Sequence, residues 1–418
     1  MFVIQICSVL LSLFVGQASC REYFDLDQLR LKNGAVVVNI DADWGSDTEV
    51  ATLFIKNGAS LKFDRKTSFP SLAFRLLKYR FQRLAKAKGF VLKSEFNWDY
   101  SSFTFYLPKG FLEVSSSSIW NEVFGQNEVG SIELENLKRD VLVSLRNDLN
   151  RRSSRVPMIS LMSSNNSIYS FGIYGNEDDL KSINEQEFNA FLRCYLNPLG
   201  AVLVVSSLDR GSLQTVTKEL EKSKPCFRDD RYVNENAAVF DVPVRKINYV
   251  KANWDNSILR IGFPSVICSN KDSFAYDLVQ QLLNEDKGIS AIGKSVYVSN
   301  NCYVGGGTLE IVIGGLKKAD MNEVVDSVLK RMSMLGKNMD DSTLALAKKH
   351  IVKKYSSTLS KREELIFLTG KTGLLYGSPD MILKYVEKID AVKLYDIRRV
   401  LSGLTESNSY CVMIKLEG

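Results

Sequence analysis

Apolar positions along the chain fall into helix-spaced stripes and short strand-like runs, and the two kinds recur in the same order in each half. In the first half, Ala51 to Ile55 reads as a strand, followed by a turn at Asn57-Gly58 and a helix from about Thr67 to Lys88. That helix buries Leu72, Leu76 or Leu77, Phe81 and Leu84, and turns Lys78, Arg80, Arg83, Lys86 and Lys88 to water. A strand pair follows, Phe90 to Phe96 and Ser102 to Leu107, with period-two alternation at Phe103, Phe105 and Leu107. In the second half, Ile258 to Phe263 precedes a helix from about Asp272 to Leu283 that points Phe274, Leu278 and Leu282 inward.

The halves end alike. Ile183, Phe188, Phe191 and Tyr195 form a stripe on a helix that opens with a capping box, Asn184 to Glu187. Ile389, Leu394, Ile397 and Leu401 repeat those steps 206 positions later. Each stripe leads into an apolar strand, Ala201 to Val205 in one half and Tyr410 to Ile414 in the other. Four apolar residues at helical spacing are common, but the shared strand and a period of half the chain favour duplication. The predicted fold class is α+β: two homologous domains, each an antiparallel-rich sheet packed with helices, rather than a parallel doubly wound sheet. The join is expected between about Asp209 and Asp241, giving domains at 21–225 and 226–418.

The 418 residues suit two domains, and 45% hydrophobic content supports a core in each. A net charge of +6, spread among both signs apart from short runs such as Arg151-Arg152, gives no footprint for nucleic acid, and none is expected as a partner. Residues 1–20 are uncharged and apolar and end in small residues, the pattern of a signal peptide despite the lack of an early Lys or Arg. Cleavage after Ala18 or Cys20 is expected. Gln17-Ala18-Ser19-Cys20 loosely resembles a lipoprotein box, although Gln17 stands where an aliphatic residue belongs, so soluble export is preferred to a lipid anchor on Cys20. No later segment is apolar enough to span a bilayer, and a bacterial periplasm fits best. Cys194, Cys226, Cys268, Cys302 and Cys411 contain no C-x-x-C pair; they read as small core residues with room for one disulfide.

Catalytic constellations are scarce. His350, the single histidine, sits on a Lys-rich helix without a nucleophile motif nearby and reads as a surface or boundary residue. Gly305-Gly306-Gly307 precedes a strand rather than a helix, so it reads as a turn or bulge and not as a phosphate cradle. The adjacent acids Glu285-Asp286, Asp178-Asp179 and Asp340-Asp341 read as solvated turns.

The order of parts is nevertheless distinctive. It runs from Lys32-Asn33-Gly34 through Lys66-Thr67-Ser68-Phe69-Pro70 and Lys138-Arg139-Asp140-Val141-Leu142. It then continues with Tyr174-Gly175-Asn176-Glu177-Asp178-Asp179-Leu180-Lys181-Ser182-Ile183, and with Asn197-Pro198 before Ala201 to Val205. This resembles the M16 family of zinc metallopeptidases (insulinase, pitrilysin and mitochondrial processing peptidase) over almost the whole mature chain, with 175–205 the most specific stretch. The resemblance implies the LuxS/MPP-like metallohydrolase fold. Active members carry H-x-x-E-H on the first helix and a distal glutamate on a later one.

Carried over by that resemblance, the two histidine positions fall on Ser71 and Arg75, the general-base position on Phe74, and the distal ligand near Leu145 with Ser144 beside it. None of these is a metal ligand or base, so no catalytic residue, metal or cofactor is expected. The family's substrate-holding arginine and tyrosine fall on Asn300 and, within one residue, Tyr303, which reads equally as a strand-end core aromatic. The resemblance implies a non-catalytic subunit paired with a zinc-bearing M16 homologue, or self-associated, walling a peptide-degrading chamber. The alternative is an assembly scaffold of an envelope complex.

Overall fold

The computed structural model describes residues 24–155, 172–225, 246–252 and 258–417, apart from 43, 46, 57, 61, 64, 65, 126, 127, 317–320 and 407–409. It also describes Met162, Tyr169 and 232–233. The expected signal segment, Cys20 and Cys226 lie outside the described residues, as do residues 226–231 and 234–241 of the expected join.

In chain order the first half runs β1 (Asp25–Arg30), β2 (Val36–Asp41), β3 (Thr48–Ile55), β4 (Lys62–Phe63), α1 (Phe69–Lys88), β5 (Val91–Phe96) and β6 (Ser101–Pro108). It continues with α2 (Phe111–Phe124), α3 (Ser131–Arg155), α4 (Glu177–Ser182), α5 (Glu185–Tyr195), β7 (Ala201–Ser206), α6 (Arg210–Glu221) and β8 (Tyr232–Val233). The second half runs β9 (Lys246–Ala252), β10 (Ile258–Ser265), α7 (Ser273–Glu285), α8 (Lys287–Ser290), β11 (Ser295–Cys302) and β12 (Gly307–Gly314). Its remaining elements are α9 (Met321–Asn338), α10 (Asp341–Leu359), α11 (Arg362–Leu375), α12 (Met381–Ala391), α13 (Leu394–Glu406) and β13 (Cys411–Glu417).

The two main sheets share one plan. The first has the order β1-β2-β7-β3-β6-β5 and the second β11-β12-β10-β13-β9. Each contains a single parallel pair, β2 with β7 and β9 with β13, among antiparallel neighbours. Register repeats as well: Val91 faces Tyr106 across β5–β6, and Tyr297 faces Val312 across β11–β12, both members displaced by 206 positions. The predicted α+β architecture and internal repeat are present. β1 is an extra strand on the first sheet.

Local chemistry explains the element ends. α1 begins with Pro70 in its first turn and stops at Gly89, whose φ of 76° is the left-handed geometry that glycine adopts without strain. Lys86 and Lys88 sit beside the negative end of its dipole. The Asn184 capping box of α5 is complete, with Asn184 Oδ1 accepting from the Glu187 N–H and the Glu187 carboxylate accepting from the Asn184 N–H. Asp209 caps α6, so the expected join begins as a helix rather than as a linker.

Helices cover one face of each sheet with a separate apolar core. The opposite face of the first sheet is covered by the second half. Val36, Val38, Val50, Phe54, Val202 and Val204 pack against Leu365, Ile366 and Leu374 of α11, Leu359 of α10 and Ile382 of α12. Gly370 lets α11 lie on the sheet, since a Cβ there would stand 2.0 Å from the Phe54 ring. Glu363 accepts hydrogen bonds from Lys93 (3.0 Å) and the Tyr106 hydroxyl (2.7 Å), tying α11 to the edge of the same sheet.

Several expectations need correction. Arg80 is buried rather than turned to water: it donates to the Glu122 carbonyl (3.3 Å), and burial lowers its pKa. The adjacent acids are more than solvated turns. Asp286 is buried, caps α8 and receives a two-pronged contact from Arg331 (2.8 and 2.9 Å), while Asp179 accepts from the Thr67 N–H at 2.8 Å. Cys268 and Cys302 form a disulfide, for which the sequence left room. Among the described residues no helix is long and apolar enough to cross a membrane.

Candidate functional site

The site to examine is where α1 meets α3, because the sequence resemblance puts a metal there. α3 buries Leu134, Leu137, Val141 and Leu145, spaced by three and four residues, and the first three face the first core. α1 presents Ser71, Phe74 and Arg75 near its start. The segment 174–179 fixes that start: the Ser68 hydroxyl donates to the Asn176 carbonyl (2.9 Å) and the Thr67 N–H and hydroxyl donate to Asp179. Gly175 adopts a φ of 79°, and any Cβ there would lie 2.3 Å from Ser68 Oγ. The stretch that carries the resemblance most strongly is therefore the clamp on the first turn of α1.

Each position is filled by a side chain already committed to packing or hydrogen bonding. The Ser71 hydroxyl donates to the Ser68 carbonyl (2.9 Å) and lies 3.2 Å from that of Tyr174. Phe74 stacks on Phe96 with ring centroids 4.9 Å apart and tilts against Phe103 at 5.5 Å. Arg75 reaches across to α3 and donates to Ser144 Oγ at 2.6 Å. Leu145 is buried. These residues do not fit a zinc ion, since a fixed guanidinium lies between the two helices and a benzyl ring takes the place of the general base. No group of three or more metal-ligating side chains occurs among the described residues.

The structure brings Tyr303 to this region but not Asn300. Phe96, which stacks on Phe74, also packs with Ala59, Trp98, Tyr169 and Tyr303 in a small apolar cluster between the halves. Tyr303 lies against the Tyr169 ring at 5.4 Å, and Tyr169 meets Trp98 edge-on at 5.6 Å. Beneath them lies Asp99. Its carboxylate accepts from the Val304 N–H (2.9 Å) and the Tyr169 hydroxyl (2.9 Å), and Tyr169 Oη in turn accepts from the Gly305 N–H at 3.0 Å. Burial raises the Asp99 pKa against the pull of those donors, and burial with the nearby Asp99 charge keeps the Tyr169 and Tyr303 phenols protonated. The triple-glycine segment is thus a hydrogen-bonded joint between the two sheets as well as a turn. Nothing in the sequence marked Asp99 or Tyr169 for this role, because they lie 70 positions from each other and more than 130 from their partners in the second half.

Asn300 turns into the second half, where Nδ2 donates to Asp277 (2.8 Å) and its N–H donates to Gln280 (2.9 Å). His350 pairs with Glu285 on the partly exposed α7–α10 surface, as a boundary histidine does.

No protein-family model and no curated protein sequence matches the chain. Solved structures do. A protease from Helicobacter pylori superposes with a TM-score of 0.77 at 14% identity, covering 94% of this chain and 100% of that one. A peptidase M16 inactive domain from Pseudomonas fluorescens gives 0.75 at 12% identity, covering 94% and 97%. The first half of the periplasmic protease PqqL from Escherichia coli gives 0.73 at 12%, covering 94% and 92%. A chain of complex III2 from Candida albicans gives 0.77 at 12%, covering 94% and 96%. Across nearly its whole described length, the chain has the two-domain fold of M16-type peptidases.

Proposed function

We propose that the chain is a non-catalytic, exported M16-type subunit that pairs with a zinc-bearing homologue and forms one wall of a peptide-degrading chamber. The Arg75–Ser144 hydrogen bond carries this reading, because it closes the place between α1 and α3 where a metal and its water would act. Two neighbours support the arrangement: one is named an inactive M16 domain, and another is the first half of a periplasmic protease whose length matches this chain. On this reading the second half of the chamber is another chain, a zinc-bearing homologue or a second copy.

β5 supplies a surface for extended peptides. It is the terminal strand of the first sheet, so one row of its backbone N–H and C=O groups is available for strand addition. Tyr303 packs into the joint beside that edge, where it shapes the chamber wall. Asn300, committed to Asp277, does not act as a clamp. The uncharged apolar start of the chain and the periplasmic neighbour support export to a bacterial periplasm, as a soluble protein rather than through Cys20.

The test is a pull-down from the native host, followed by peptidase and zinc assays on the purified chain and on the complex. A zinc-peptidase homologue should co-purify, and only the complex should cleave unfolded peptides in a chelator-sensitive way. Chelator-sensitive cleavage by the chain alone would sink the proposal. The similarity to a complex III chain favours a second reading, an assembly scaffold, which predicts co-purification of an envelope complex without a zinc peptidase.

A further inference from the structure

The internal repeat gives the first site a counterpart in the second half. The 206-position shift seen in the strand registers carries Ser71, Phe74 and Arg75 onto Asp277, Gln280 and Gln281 of α7. It carries Ser144 and Leu145 onto His350 and Ile351 of α10. In the first half these positions are closed by a stacked phenylalanine and an arginine. In the second half Asp277, Gln280, Gln281 and Ile351 border a cavity of about 340 Å³, while His350 pairs with Glu285 outside it.

Its lining is chemically divided. At one pole the Asp277 carboxylate accepts from Asn300 Nδ2 (2.8 Å) and from the Tyr385 hydroxyl (2.9 Å), two of the roughly four bonds a carboxylate can accept. Aromatic rings surround that pole. Tyr385 tilts against Tyr355 at 4.4 Å and meets Phe274 edge-on at 5.8 Å, and Phe274 stacks on Tyr376. The same cavity is bordered by Lys371 of α11, whose charge also acts on Asp277, and by Lys354 of α10. Leu368, Leu375 and Met381 supply apolar lining.

We propose that this cavity binds a small zwitterion, a free amino acid or a dipeptide, with its ammonium at Asp277 and its carboxylate at the lysines. A carboxylate beside aromatic faces favours an ammonium over a neutral group. The two lysines supply the opposite charge for the other end of the same molecule. The volume is near the lower end of the roughly 300–1,000 Å³ of ordinary ligand pockets, which suits one or two residues rather than an extended peptide. The proposal does not depend on the pairing proposed above.

Isothermal titration calorimetry of the purified chain with leucine, alanyl-leucine, N-acetyl-alanyl-leucine and alanyl-leucine amide tests it. Leucine or alanyl-leucine should bind saturably, and blocking either end of the dipeptide should weaken binding at least tenfold. Asp277→Asn should lower affinity for the free dipeptide while leaving the weak binding of its N-acetyl form unchanged. Lys371→Gln provides the same test at the other pole, with a loss toward the free dipeptide and none toward its amide, should D277N not fold. Equal binding of free and blocked forms, or no saturable binding of any of them, overturns the proposal.

Discussion

At the scale of residues, the closed site rests on side chains that substitute packing for chemistry. Phe74 illustrates this: its ring is held between Phe96 and Phe103 at the centre of the first core's edge. Phe74→Ala should therefore cost about 3–4 kcal/mol, the range for deleting a buried aromatic, read as a lowered urea midpoint with an unchanged slope. Arg399 makes a two-pronged contact with Asp272 (2.8 and 2.9 Å), and that contact lowers the Asp272 pKa. A depressed carboxylate contributes stability above its unfolded value of about 3.9 and loses it as pH falls through the folded value. The pair is partly exposed, so solvent screening leaves it roughly 0.5–1 kcal/mol. Arg399→Gln should be destabilised by that amount at pH 7, and the gap to wild type should close as acid unfolding is followed below pH 4.

At the scale of elements, the sequence was informative wherever a stripe or cap is local. The Asn184 capping box, the inward positions of α1 and α7, and the alternation of β6 follow from neighbours within a few positions, and the structure contains them. Arg80 shows the limit of such reading. Helical spacing placed it with the solvated lysines, but α2 lies over it and supplies the Glu122 carbonyl. The most consequential element is α11, whose periodicity gives no hint that it leaves its own half to cover the first sheet. Gly370 is what permits the approach to Phe54. Gly370→Val should lower the melting temperature by several degrees, corresponding to about 2–3 kcal/mol of overpacking in a chain of this size, as scanning calorimetry would show. A wild-type melting profile would contradict the close packing of this joint.

At the scale of the whole molecule, the α11 face and the Asp99 joint tie the two halves together among the described residues. Asp99→Ala leaves the Val304 N–H and the Tyr169 hydroxyl without their acceptor in a buried setting, at a cost of about 2–4 kcal/mol. Because both donors belong to the junction, calorimetry should show a broadened or split transition, where a purely local loss would shift a single one. A single sharp transition at the wild-type temperature would mean that the joint does not couple the halves.

The sequence by itself determined the repeat and the layered α+β class, since these depend on residue identity and short-range spacing. A chain with one histidine cannot supply two to one helix, whatever its fold. Tertiary structure decided what surrounds Ser71, Phe74 and Arg75 and which residues meet across the halves. It paired Arg75 with Ser144 and Tyr303 with Tyr169, and it turned Asn300 away toward Asp277. Those contacts join residues from about 20 to more than 130 positions apart, through packing of sheets and helices that no local pattern encodes. For the same reason the second-half cavity is invisible in the sequence: Asp277, Lys354, Lys371 and Tyr385 share a site only after α7, α10, α11 and α12 have docked.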